Sequence, residues 1–259
     1  MAAGGTLSYL KRKVLAIQDG TYLLINAVRA LFTPPRYTTD TLVQMDVIGV
    51  GSLPIVLPTG LFTGMVLALQ TYRTLTRFGS ATILGEAVAL SVVRELGPVL
   101  TALMVVGRVS SGIASEIGSM LVSEQVDALR AMGTDPHRKL VAPRLYATLV
   151  TLPLLTILSD FIAMLGGYII SLTIAHLTTN EYWSPAYQSL DYHDVTQGLM
   201  KPVFFAFVVA LVGSYFGLNT TGGTEGVGRS TTQAVVVASV AILVLDFFIT
   251  LFLIGIGFA

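Results

Sequence analysis

From Val47 to Tyr72 the chain runs for 26 residues without one charged side chain. About 20 apolar residues, each rising about 1.5 Å, cross a hydrocarbon layer, so this run predicts a tilted membrane-spanning helix. Four more apolar stretches follow: Ala87 to about Leu121, Leu145 to Ala175, Pro202 to about Leu218, and Thr231 to Phe258. Composition agrees, with 53% hydrophobic residues, 12% charged residues and a mean hydropathy of +0.76, far from the balance of a soluble domain. Backbone amides in lipid must be satisfied within the segment, so the expected fold class is an all-α membrane protein with five transmembrane helices.

Within these stretches, Pro54 and Pro58 predict a bend or break early in the first span, and Gly60 and Gly64 offer a small-residue packing face. The polar run Arg73 to Gly85 is expected to be a loop. Arg94-Glu95 and Gly97-Pro98 interrupt the second stretch, which exceeds the hydrocarbon thickness and is expected to project into water at its carboxyl end. Gly107, Ser111 and Ser115 form a second small-residue ladder, suited to close approach of subunits or to packing within the chain. Asp160 and Asp246 interrupt the third and fifth stretches, and Leu177 to Lys201 is a polar, aromatic segment with room for a small external helix. No internal repeat is present.

Residues 1–40 read differently. Leu10, Val14, Ile17, Leu24, Val28 and Leu31 fall on one helical face, with Thr21 the polar exception, and Lys11, Arg12, Lys13, Gln18 and Asp19 lie elsewhere. That pattern predicts a helix lying in the membrane interface. Asp19 and Arg29 argue against a transmembrane span, and no cleaved signal is expected. With five spans, Lys11, Arg12, Lys13, Arg29, Arg36, Arg130, Arg138, Lys139, Arg144 and Arg229 share one side, against Arg73, Arg77 and Lys201 on the other. Positive charge concentrates in the cytoplasm, so the amino terminus is expected there and the carboxyl terminus outside.

Between spans two and three lies the polar stretch Ser123 to Arg144. Ser123 suits an N-cap, Glu124 and Asp127 the anion-favouring first turn, Arg130 the carboxyl end, and Gly133 followed by Pro136 the stop. Val126, Leu129 and Met132 recur at three-residue spacing opposite Gln125, Asp127 and Arg130. A helix of about ten residues is marginal alone in water, so its apolar face must rest on its own bundle or on a partner.

Several chemistries are disfavoured. Fifteen basic residues balance fifteen acidic ones, without the basic field that nucleic acid requires. There is no Cys, His137, His176 and His193 have no ligand spacing, and no metal site is expected. No Gly-Lys pair exists, hence no P-loop, and any ATP must be hydrolysed on another chain. The glycine-rich run Thr221 to Arg229 joins two membrane helices and lacks the strand-turn-helix setting of a phosphate cradle, and Asn219-Thr220-Thr221 is a chance glycosylation match on the cytoplasmic side. Intramembrane charge is costly, so Arg94 and Glu95 mark a polar spot beside a cavity or a self-satisfying ion pair; Arg108 and Glu116 are expected to snorkel or pair near the cytoplasmic end. Asp160 and Asp246 are expected to be hydrogen-bonded inside the bundle, with proton relay as the alternative.

LSVVRELGPVLTALMVVGRVSSGIASEIGSM, SEQVDALRAMGTDPHRKLVAPR, GVGRSTTQAVV and LDFFIT occur in that order. Over residues 45 to 255 the chain resembles the MlaE-type permeases of ABC transporters, which move phospholipids between Gram-negative membranes. The resemblance implies a single permease domain over residues 1–259, located in the cell inner membrane. It also implies a homodimer, with an interfacial helix ahead of five transmembrane helices. Glu124, Gln125, Val126, Asp127, Leu129, Arg130, Met132, Gly133, Asp135 and Pro136 would form the coupling helix seated on a cytoplasmic ABC ATPase. It implies a STAS-domain protein bound to that ATPase and a periplasmic MCE-domain hexamer. A phospholipid needs an extended apolar surface with a few polar groups near one end, which Val66, Leu67, Leu69 and Gln70 would supply together with Arg94, Glu95 and Lys201. The acyl chains would lie on the apolar residues and the phosphate on Arg94 or Lys201; no cofactor is implied. The competing readings are a proton-coupled secondary carrier using Asp160, Asp246 and Glu95, and a non-transporting scaffold of a lipid-handling complex.

Overall fold

The computed structural model describes residues 37–257, together with Gln18, Thr21, Tyr22, Ile25 and Arg29. The amphipathic face expected over residues 1–40 lies almost wholly outside them. The described residues are helical throughout, and five helical stretches are long and apolar enough to cross a membrane: Thr38–Arg77, Ala81–Val122, His137–Thr173, Tyr192–Leu218 and Gly223–Gly255.

The first stretch begins as α1 (Thr38–Ile48), passes through a 3₁₀ turn at Val50–Ser52 and continues as α2 (Leu53–Arg77). The break falls just ahead of Pro54, which thereby occupies the first turn of α2, where its missing N–H costs no hydrogen bond. Pro58 is carried inside α2. Arg108 from the second span closes the break: its Nη1 donates to Val47 O at 2.8 Å and Ser52 Oγ at 3.1 Å. Gly51 permits this, since a Cβ there would lie 2.2 Å from the guanidinium. Arg108 therefore anchors a backbone bend instead of snorkelling.

The expected loop from Arg73 to Gly85 is mostly helix. Nothing breaks α2 before Gly79, whose φ of 68° ends it. Only residues 78–80 separate it from the next helical stretch, a 3₁₀ turn at Ala81–Ile83 followed by α3 (Leu84–Ser91), α4 (Gly97–Val105) and α5 (Ser111–Val122). Two π-helical bulges, Val92–Leu96 and Val106–Ser110, join these last three. The first bulge has a local cause: Pro98 offers no N–H to Arg94 O, and Gly97 N–H reaches back to Val92 O instead.

α6 (Gln125–Ala131) follows, then a π turn at His137–Val141 and the long α7 (Ala142–Thr173). The segment after it holds α8 (Thr179–Ser189), started by a reciprocal cap in which Thr178 N–H donates to Glu181 Oε2 at 2.7 Å. That bond and the Thr178 hydroxyl favour the ionised Glu181 and hold its carboxyl below the ordinary range. α8 buries Tyr182, whose hydroxyl donates to Met164 O at 3.0 Å, and burial pushes this phenol up. α9 (Tyr192–Leu218) starts ten residues before Pro202, so Pro202 and Lys201 lie inside a helix and not at its outer end. α10 (Gly223–Gly255) likewise begins inside the glycine-rich run, leaving residues 219–222 as the connection.

Helices in lipid gain little from apolar burial and associate through close packing of small residues. The seam between α2 and α7 shows this from both sides. A Cβ on Gly64 would sit 1.9 Å from Ala163 O, and one on Gly166 would sit 2.2 Å from Leu61 O. Elsewhere Val105, Val109, Ile113, Leu152, Phe205 and Ile242 join the second, third, fourth and fifth spans in one apolar core. Gly107 faces open space, so that member of the small-residue ladder is not used within the chain, and neighbouring Gly112 likewise meets nothing within 4 Å.

Candidate functional site

α2 runs without interruption from Leu53 to Arg77, so residues three and four apart stack along one face. Pro58, Phe62, Val66, Leu67 and Gln70 of that face, with Leu96 from the first bulge, line an open groove of about 560 Å³. Three of the residues expected to hold lipid, Val66, Leu67 and Gln70, are brought together here. Leu69 is not: it packs against the core of Leu84, Val88 and Val92.

Behind Leu96 the bulge presents Arg94 and Glu95, which pair with other residues and not with each other. Lys201 Nζ donates to Glu95 Oε2 and, at 3.1 Å, to Arg94 O, the carbonyl that Pro98 leaves without a helical donor. Asp246 Oδ1 of α10 lies 3.1 Å from the same ammonium, a charge contact without hydrogen-bond geometry. Thr250 Oγ1 donates to Glu95 Oε1 at 3.4 Å. One lysine thus ties α9 to the bulge and to α10, and its side chain is 0% exposed. Arg94 Nε donates to Asp194 Oδ1 at 2.5 Å, and Asp191 N–H donates to the other oxygen at 2.9 Å. Arg94 remains 39% exposed, whereas Lys201 has no face open to a ligand. The partners Asp194 and Thr250 were missed in the sequence because they lie 100 and 155 residues from their contacts, and only the fold sets that register.

Of the two acidic groups expected to be hydrogen-bonded in the bundle, neither has a hydrogen-bond partner for its Oδ1 among the described residues. Asp246 keeps Lys201 as an ion-pair partner, whereas Asp160 has no ion pair among the described residues. It faces Gly97, where a Cβ would lie 1.6 Å away. A cavity of about 10 Å³, room for one water, lies nearby between Gly60, Gly97, Thr101 and Ser159, and Thr101 Oγ1 is also unpartnered.

At the other candidate region, α6 is a helix of seven residues. Ser123 does not cap it: its hydroxyl donates back to Ser119 O at 2.8 Å, closing α5, while Glu124 turns the chain with φ of 61°. Gly133, at φ 73°, ends the helix, with Thr134 N–H donating to Leu129 O at 3.0 Å. Val126 is buried on the bundle, Leu129 packs partly against it, and Pro136 is buried. Glu124, Gln125, Asp127, Arg130, Met132, Gly133 and Asp135 are exposed, with Asp127 and Arg130 paired at 2.8 Å. Glu116 and Arg144 near this end pair at 2.8 Å. Among the described residues no His, Asp and Glu cluster could hold a metal ion.

Known proteins resemble this chain in sequence over most of its length. The chain is 42% identical over 243 residues to a probable ABC transporter permease protein of Rickettsia felis, covering 93% of this chain and 94% of the relative. It is 41% identical over 215 residues to the intermembrane phospholipid transport system permease protein MlaE of Haemophilus influenzae, covering 83% and 82%. Against the chloroplastic protein TRIGALACTOSYLDIACYLGLYCEROL 1 of Arabidopsis thaliana the identity is 37% over 213 residues, covering 82% of this chain and 61% of the plant protein. The family model described as Permease MlaE matches residues 41–252, from α1 to near the end of α10, and this chain belongs to that family.

Proposed function

We propose that the chain is the permease subunit of an ABC transporter that moves phospholipids between the inner and outer membranes and so maintains outer-membrane lipid asymmetry. The observation that carries this reading is the groove on α2. A phospholipid needs a long apolar wall with polar groups near one end, and Phe62, Val66 and Leu67 followed by Gln70 supply that order. The phospholipid transport system for which the Haemophilus relative is named supports the same substrate class.

On this reading residues 1–259 form one permease domain, with residues 1–40 at the interface and the amino terminus in the cytoplasm. Two copies pair in the inner membrane; Gly107 and Gly112 support this, since both face open space on the single chain and small residues let membrane helices approach closely. The exposed part of α6, with Met132 at its end, docks on a cytoplasmic ATPase that performs the hydrolysis. A STAS-domain protein on the ATPase and a periplasmic MCE-domain hexamer complete the assembly. The permease itself is not an enzyme.

Asp160 gives the proton-coupled carrier one supporting observation, its unpartnered oxygen beside a water-sized cavity. The two mechanisms separate in one experiment. The tagged chain is purified with whatever it binds, reconstituted into liposomes, and assayed for phospholipid transfer with ATP or with a proton gradient. A co-purifying P-loop ATPase and ATP-dependent transfer are expected; transfer driven by the gradient without ATP would establish the carrier.

A further inference from the structure

The face of α2 that lines the groove continues past Gln70, the last α2 residue of the groove wall. Because α2 continues to Arg77, the row formed by residues 59, 62, 66 and 70 extends to 73 and 77 at the same three- and four-residue spacing. Arg73 and Arg77 therefore lie on the groove face, about 5 and 10 Å beyond Gln70 along the helix axis. Both are exposed. Among the described residues the basic side chains from Arg94 onward all have a carboxylate or carbonyl partner within the chain, whereas neither Arg73 nor Arg77 has an ion pair or side-chain hydrogen bond. The two cations first expected to meet the lipid phosphate are differently placed: Lys201 is enclosed, and Arg94 is committed to Asp194.

We propose that Arg73 and Arg77 form the head-group end of the groove, binding the phosphodiester of a phospholipid whose acyl chains lie along Phe62, Val66 and Leu67. This rests on the phospholipid-permease reading and names the residues that recognise the charged end. The guanidinium fork matches a phosphodiester's oxygens and is weakly hydrated, so it suits binding at the boundary between lipid and water. Two arginines one helical turn apart allow the head group to pass from one to the other as the lipid enters or leaves.

The simpler role for such residues is anchoring, with both side chains snorkelling to the head-group layer of the surrounding bilayer. The test distinguishes the two. A photo-crosslinking amino acid replaces Val66 in the full chain, reconstituted with its co-purifying partners in phosphatidylcholine nanodiscs, and two tail-labelled probes with identical acyl chains are compared: phosphatidylglycerol and diacylglycerol. Crosslinking to phosphatidylglycerol is expected to fall about tenfold in Arg73→Gln/Arg77→Gln, the loss associated with a charge-assisted hydrogen bond, and to recover partly in Arg73→Lys/Arg77→Lys. Diacylglycerol crosslinking should be unchanged, and inorganic phosphate should not compete at concentrations equal to the lipid probe. Equal losses for both probes, or no loss for either, would overturn the head-group assignment, as would equal competition by inorganic phosphate. If the unsubstituted arginine pair gives no crosslink to either probe, the groove holds no lipid and the phospholipid reading itself fails, an outcome distinct from failure of the arginine assignment.

Discussion

Lys201 shows how a charge can sit inside a membrane protein without serving as a binding group. Its ammonium is enclosed by Glu95, Asp246 and the carbonyl of Arg94, so removing it strands two carboxylates and one backbone acceptor together. Lys201→Met is expected to destabilise the folded chain by about 3 kcal/mol, because a broken buried pair leaves uncompensated charge. Lys201→Met/Glu95→Gln/Asp246→Asn should recover most of that loss, and thermal unfolding of the detergent-solubilised chain checks both. Reduced transport in Lys201→Ala would thus report a weakened bundle, not a lost head-group contact. The glycines give a second comparison at the same scale. Gly64→Ala places a methyl group 1.9 Å from Ala163 O and should cost about 1–3 kcal/mol, whereas Gly112→Ala meets nothing within 4 Å and should be neutral or slightly stabilising. Matching stability in these two variants would show that α2 and α7 can separate freely at their seam.

Among the elements, α6 is where exposure sorts the apolar residues expected to dock. Leu129 is partly packed on the chain's own core, so Leu129→Asp would disturb the fold and the docking together. Met132 is 70% exposed and is the cleaner probe. Met132→Asp is expected to weaken ATPase co-purification at least tenfold while leaving the unfolding temperature within a degree or two, since a surface substitution away from packing has little effect on stability. Unchanged ATPase association and transport would exclude this end of α6 from the interface. The spacing of Val126, Leu129 and Met132 was readable from sequence, but which of them the bundle buries was not, because that depends on how α6 folds back on α5 and the core beneath it. The same limit governs the spans. Their number followed from apolar length, yet their ends did not: polar residues such as Arg73, Thr74 and Thr76 continue α2, with the two threonines donating back to carbonyls of the preceding turn. Hydropathy ends where charge begins, whereas a helix ends where the backbone cannot continue, here at Gly79. Reading that polar run as a loop hid the alignment of Arg73 and Arg77 with the groove. Val66, Leu67 and Gln70 follow from the apolar wall and polar end that a phospholipid needs, whereas Leu69, beside them in sequence, is half-buried against the core and does not line the groove.

For the whole molecule, the third span decides how its ends are disposed. α6 precedes His137–Thr173 and α8 follows it, so one complete crossing places them on opposite faces of the membrane. The basic residues are the ground for the proposed orientation: Arg130, Arg138, Lys139 and Arg144 cluster on the α6 side, while α8 carries Glu181 and no Lys or Arg. Ion pairing within the fold does not remove this asymmetry, because orientation is set during insertion, when these side chains have not yet found their partners. Since the natural chain has no Cys, single cysteines at Ala131, exposed on α6, and at Gln188, exposed on α8, report each side without background from the chain itself. In spheroplasts with an intact inner membrane, an impermeant maleimide is expected to label Gln188→Cys and to spare Ala131→Cys until the membrane is opened. In inverted vesicles the order should reverse. Labelling of both positions in intact spheroplasts would refute the five-span topology, whereas labelling of Ala131→Cys alone would keep the five spans and invert them, placing α6 where no cytoplasmic ATPase could reach it.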